Sequence, residues 1–273
     1  MIETLVALVL SSVIIILVST TFLVQNQYYS SQRLHAGAHD NARAATDRIA
    51  SELRSVMGGG ILVAGNRTLT LRSPIVVGVI CSRQGPGDTD VHTEGGQTEL
   101  DTDEVAGVAV RDSPTGTWTY SSAAWGTIDG SDGSSPGRCA DNGADTTAAA
   151  SEFHRIGQMN SLFSPTPDVG DVVMLYRETT FKIQDSELEP GRLGLFRRIY
   201  GGSFVEFATG MDASAQFQYR TGGSSYADTI AAASLDDIDA VRIVAEARRR
   251  AQSGGQQDVT FGWSVNVVLR NAP

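Results

Sequence analysis

Residues 4–24 read TLVALVLSSVIIILVSTTFLV, 21 positions without a charge, a proline or a glycine. Coiled as an α-helix, the run is about 31 Å long, close to the hydrocarbon thickness of a bilayer. A surface of that kind has to end in lipid or against other chains. Glu3 opens the run, and no Lys or Arg stands before it. A secretory signal peptide needs basic residues ahead of a shorter apolar core, and an ordinary signal anchor needs Lys or Arg on its cytoplasmic flank. Neither pattern is present, so the run is expected to be a membrane span with an acidic start. An ionisable group at the edge of a span is costly and therefore usually functional. The simpler role is a carboxylate solvated in the headgroup layer.

The apolar run passes without a break into residues 25–57, which are polar but helix-compatible. Leu34, Ala38, Ala42, Ala45, Ile49, Leu53 and Val56 recur there at the 3–4 spacing of an amphipathic helix. Arg43–Asp47 and Arg48–Glu52 are (i, i+4) pairs expected on its wet side. Gly58, Gly59 and Gly60 then stop it. The pattern predicts one helix over 2–57, roughly 80 Å long. Residues 1–24 would be its transmembrane half and residues 25–57 a stripe laid against a head at 58–273. Residues 13–21 are rich in β-branched and hydroxyl side chains, weak helix formers outside lipid. Local melting there stays open.

The chain carries a net charge of −10 and a pI near 4.8. That balance argues against nucleic-acid binding, which needs clustered cations to displace counterions. The one basic cluster, Arg248, Arg249 and Arg250, reads as a solvated edge device at a strand end. Cys81 and Cys139 are the only cysteines. In an exported head they are expected to form one disulfide, closing a loop of roughly 58 residues at about 4 kcal/mol on the chain-entropy model. Two unrelated thiols are the alternative.

The start MIETLVALVLSSVIIILV resembles the mature N-terminus of type IV pilins and type II secretion pseudopilins. In that family a prepilin peptidase cuts after a glycine and methylates the new N-terminus. A glutamate kept inside the apolar run then neutralises the N-terminal ammonium of the neighbouring subunit during assembly. Glu3 matches that glutamate, and an uncompensated buried carboxylate is heavily penalised whereas a paired one defines a register. Only Met1 and Ile2 precede it, fewer residues than the family has. The resemblance therefore implies that a leader and about two mature residues come before Met1. NARAATDRIASELRSVMGGG resembles the corresponding stretch of the minor pilins called PilW and the pseudopilins called GspJ. The segments GDVVMLYRETTFKI, GRLGLFRRIY, DASAQFQYR, LDDIDAVRIVAEARRR and FGWSVNVVLRN follow in the order those families use. The match is strong over the helix and only a pattern of strands over the head.

The head itself reads as β-rich. Val259, Phe261, Trp263, Val265, Val267 and Leu269 alternate strictly, as do Val241, Ile243, Ala245 and Ala247. Further strands are expected at 68–72, 75–81, 105–110, 172–183, 192–200 and 213–219. Short sequential strands with Gly-rich turns predict an antiparallel meander covered by the helix stripe, a pilin-like α+β fold. Residues 82–171 are dense in Gly, Ser, Asp and Thr and form an insertion, either a long decorated loop or an excursion with short strands.

Nothing in the chain carries catalytic chemistry, so no enzymatic activity, cofactor or metal is expected. His35 and His39 form an (i, i+4) pair without a third ligand or the internal glutamate of the metalloprotease pattern. His92 and His154 read as isolated loop residues. Asp129, Asp132, Asp141 and Asp145 lack the spacing of a calcium loop and read as acidic turns. No nucleophile elbow, phosphate loop or dinucleotide fingerprint occurs.

The expected function is that of a minor pilin in a type IV pilus, supporting filament assembly or the tip complex. The implied partners are other pilin or pseudopilin subunits, the inner-membrane assembly platform and the prepilin peptidase. A single-pass inner-membrane protein with a periplasmic or extracellular head is implied, extracellular once assembled. A GspJ-like type II secretion pseudopilin is the first alternative, although a head of about 215 residues is generous for one. A membrane-tethered extracytoplasmic binding domain is the second, but a tether needs neither Glu3 nor a helix continuing past the lipid.

Overall fold

The computed structural model describes residues 2–84, 87–93, 102–113, 115–121, 128–129, 139, 153–157, 159–249 and 259–269. One unbroken helix, α1 (Ile2–Ser55), takes up 54 of them. It passes through the β-branched stretch without a break. There Ser11 and Ser12 donate to the carbonyls of Ala7 and Val9, and Thr20 and Thr21 both donate to Leu17. These bonds, 2.8–2.9 Å long, satisfy hydroxyls that lipid could not. The helix ends two residues short of the predicted Met57. Val56 N donates to Leu53 O and Gly60 N to Met57 O, and Gly59 turns at φ +72°, a value that favours glycine.

Thirteen strands follow: β1 (Ile61–Gly65), β2 (Thr68–Gln84), β3 (Asp88–Thr93), β4 (Gly107–Arg111), β5 (Trp118–Ser121), β6 (Ile128–Asp129), β7 (Phe153–Ile156), β8 (Val172–Asp185), β9 (Leu193–Ile199), β10 (Val205–Met211), β11 (Gln216–Arg220), β12 (Ala240–Arg249) and β13 (Val259–Val268). A short helix, α2 (Met159–Leu162), lies between β7 and β8. Every pairing is antiparallel, and the whole is an α+β structure.

The spine of the sheet is the long pair β2–β8, in register from Thr68↔Lys182 to Val79↔Val172. The other edge of β2 is shared, β1 lying along its start and β3 along its end. The other edge of β8 is shared in the same way by β4 and β9. From β9 the sheet continues through β10 to β12, which lies between β11 and β13. This corrects the simple meander, because β2–β8 closes the sheet across the whole insertion. The strands expected at 68–72 and 75–81 are one strand in the structure. β2 runs through Pro74 with a register shift between Pro74 and Val76, at a stretch between the β1 and β3 pairings where a missing N–H is tolerated.

Three apolar clusters fill the head. The first joins Ala45, Ile49, Leu53 and Val56 of α1 to Leu69, Leu71, Phe181, Leu195, Phe217, Ile243 and Val267. The second, among the described residues, has none from α1: it includes Val76, Ile80, Val91, Val108, Val110, Ile156, Met159, Phe163, Val173 and Leu175. A third, small one groups Ala106, Ala109, Met174 and Tyr176 against Met57, Trp118 and Tyr120. The described parts of the insertion thus carry short strands and add buried side chains to a core shared with β2 and β8.

Candidate functional site

The chemistry-bearing part of α1 is its first half. Residues Ile2–Ser30 have a mean hydropathy of 2.6 in their most apolar window, of which 0% is buried by the rest of the chain. Leu8, Leu17 and Phe22 are 71%, 60% and 68% exposed. A contiguous apolar surface of this extent marks contact with lipid or protein. The helix is long and apolar enough to cross a membrane once.

Glu3 lies in the first turn of α1 and is exposed. A carboxylate there faces the unpaired N–H groups and partial positive charge of the helix start, a favourable placement. At the other end of the apolar half, Tyr28 and Tyr29 stand exposed with ring centroids 6.5 Å apart. Paired tyrosines at the end of a span suit the membrane interface. Neither tyrosine belongs to the apolar stripe or to a charged pair, and their position straight after the apolar run is the one sequence signal that marks them.

The second half divides the predicted stripe. Ala45, Ile49, Leu53 and Val56 are buried in the first core, with Thr46 and Ala50. Leu34, Ala38 and Ala42 are helical in backbone, but their side chains lie outside the described residues. The same holds for His35 and His39. Of the two predicted surface pairs, Arg43–Asp47 is exposed on both sides with an N–O distance of 3.5 Å. Arg48–Glu52 also forms, at 3.3 Å, but only its Arg48 half is exposed. Glu52 is buried, and Arg197 of β9 reaches its Oε1 from the sheet.

Cys81 of β2 and Cys139 are disulfide-bonded, with Cα atoms 4.9 Å apart across a separation of 58 residues. Both are buried, and Cys81 Sγ lies 3.3 Å from Asp90 O. His92 and His154 are strand residues rather than loop residues, His92 opposite Phe153 and Val91 opposite His154 in the β3–β7 ladder. Asp129 is in β6, and Asp132, Asp141 and Asp145 lie outside the described residues. Among the described residues no group of three or more His, Cys, Asp or Glu could hold a metal ion. Arg248 and Arg249 are paired in backbone with Thr260 and Val259 of β13 on one side of β12, while on its other side the described pairings reach no further than Ala247 opposite Met211; Arg250 lies outside the described residues.

Among the described residues, two of the open clefts on the head are large. One of about 780 Å³ lies between the 3-10 turn at Thr102–Glu104 and the β9–β10 hairpin, and includes Arg197, Tyr200 and Phe207. The other, about 730 Å³, runs from Met57 and Gly59 past Trp118 to Val77 and Val172. No family model, curated protein or solved structure matches this chain.

Proposed function

We propose that this protein is a membrane-anchored filament subunit of the type IV pilin class, acting as a minor pilin in assembly or at the tip of the filament. One observation carries the reading. A single helix of 54 residues is buried in the head along its last turns yet leaves the most apolar stretch of its first half uncovered by the described residues. A plain tether has no need of rigid continuity between span and head. A subunit that must leave lipid and stack against copies of similar helices does, because continuity fixes the head relative to the packing surface.

Glu3 is the group expected to set the axial register, by pairing with the N-terminal ammonium of a neighbouring subunit. The partners on this reading are other pilin subunits, the inner-membrane assembly platform and the prepilin peptidase, with the head outside the cytoplasm. The head, with two substantial apolar cores, favours the pilus over the shorter secretion filament. The test is Glu3→Gln in the full chain. Membrane-fraction levels should match wild type while recovery in sheared filaments falls sharply. Equal recovery of the two proteins in filaments would sink the assembly role and leave the tether.

A further inference from the structure

The chain leaves α1 through Gly58, Gly59 and Gly60, the most permissive connector that three residues can make. In the folded head this connector is held from outside on all three carbonyls. Tyr120 Oη donates to Gly58 O at 2.9 Å, Arg72 Nη1 to Gly59 O at 3.2 Å, and Arg72 backbone N to Gly60 O at 2.7 Å. The two side chains also brace each other, since the Arg72 guanidinium lies 4.2 Å from the Tyr120 ring centroid and 5.3 Å from that of Tyr176. The two rings meet edge to face at 5.5 Å. Tyr176 in turn donates to Ser121 O at 3.1 Å. Its hydroxyl occupies the space that a side chain at position 107 would need, which explains Gly107. The connector has no slack either: a Cβ at Gly60 would come within 2.6 Å of Val56 Cγ1.

Tyr120, Ser121 and Gly107 all belong to the insertion, on β4 and β5, whereas Arg72 and Tyr176 sit on the β2–β8 spine. We infer that Arg72, Tyr120 and Tyr176 form a clamp that fastens the insertion to the exit of α1, so that a displacement of the helix end is passed to the insertion. Tyr120 is the positioning residue of this clamp, and Arg72 its brace. The inference rests on the head geometry alone and stands apart from the assembly reading. The insertion is thereby a mechanical partner of the helix as well as a source of surface.

The test is amide hydrogen exchange on the full chain in detergent. In Tyr120→Phe, which keeps the ring and removes the donor, exchange at Gly60 and Arg72 should speed about tenfold, as expected for the loss of one hydrogen bond. Arg72→Lys, which keeps the charge and loses the planar guanidinium, should do the same. Amides of β12 and β13 should keep their wild-type rates in both variants. Tyr219→Phe is the control. Its hydroxyl donates to Gly65 O at 2.9 Å in the first core, and its loss should leave Gly60 and Arg72 unchanged. Unchanged Gly60 and Arg72 rates in both clamp variants overturn the inference. So does a uniform rise throughout the head in all three variants, which would mean that the connector opens only with the whole domain.

Discussion

Arg197 of β9 places Nη2 2.7 Å from Oε1 of Glu52, tying the sheet to the buried face of the helix. Arg48, one turn earlier on α1, brings Nε to 3.3 Å from the same oxygen, and Ser73 Oγ stands 3.5 Å from the other. With side-chain exposures of 9% for Glu52 and 18% for Arg197, removing one partner strands a charge in a poorly hydrated seam. Glu52→Ala is expected to lower head stability by about 3 kcal/mol, and Glu52→Gln by less. Urea unfolding in detergent measures it. A loss under about 1 kcal/mol would class the pair with ordinary surface bridges.

Leu53 is fully buried in the first core, whereas Leu17 is 60% exposed on the same helix. Leu53→Ala should cost the head about 3 kcal/mol, through lost burial and the cavity left behind. Leu17→Ala should leave the head's unfolding midpoint within the scatter of surface substitutions. Similar shifts from the two variants would contradict a helix divided between head and environment.

The bridge from Cys81 to Cys139 closes 58 residues of chain, most of them in the insertion. Cys139→Ser, or reduction of the wild-type protein, should destabilise the head by about 4 kcal/mol on the chain-entropy model. Non-reducing electrophoresis shows whether the head is bridged, and denaturant titration with and without reductant gives the magnitude.

Burial raises the phenol pKa of Tyr219, Tyr120 and Tyr176 above the ordinary value, with Arg72 opposing the rise at the last two. A group whose folded pKa is raised favours the fold fully below its unfolded pKa, here about 10, and loses that contribution as pH climbs beyond it. The head should therefore weaken steeply above about pH 10. Tyr219→Phe should make the fall shallower by about 1.4 kcal/mol per pH unit. Unfolding free energies measured across that range decide it; an unchanged slope would mean that Tyr219 ionises in the folded head.

Local pattern was legible where one residue's neighbours decide its environment. The alternation of Val265, Val267 and Leu269 and the helical spacing of Ala45, Ile49 and Leu53 required only a period and one buried face. Glu52 was misjudged because its (i, i+4) match to Arg48 looks like a surface pair, while Arg197, which fixes it inside, is far along the chain. β10 was missed because bulges and Gly210 at φ +75° break its alternation. The second core was hidden because Val91, Ile156, Met159 and Phe163 are scattered among polar neighbours and gather only through the β2–β3–β7 ladder. The strands expected at 68–72 and 75–81 show the opposite error: the local break at Pro74 is overruled because β8 pairs with β2 both before and after it.

The hydroxyls of Ser11, Ser12, Thr20 and Thr21 each bond a carbonyl of their own helix. The apolar half of α1 therefore meets its surroundings with hydroxyl donors already engaged. A neighbour lying along it would find contour but few polar handles, and could slide or rotate at little cost. Whatever holds two such helices at one height has to act at the ends of the segment, where Glu3 stands on one side and Tyr28 with Tyr29 on the other.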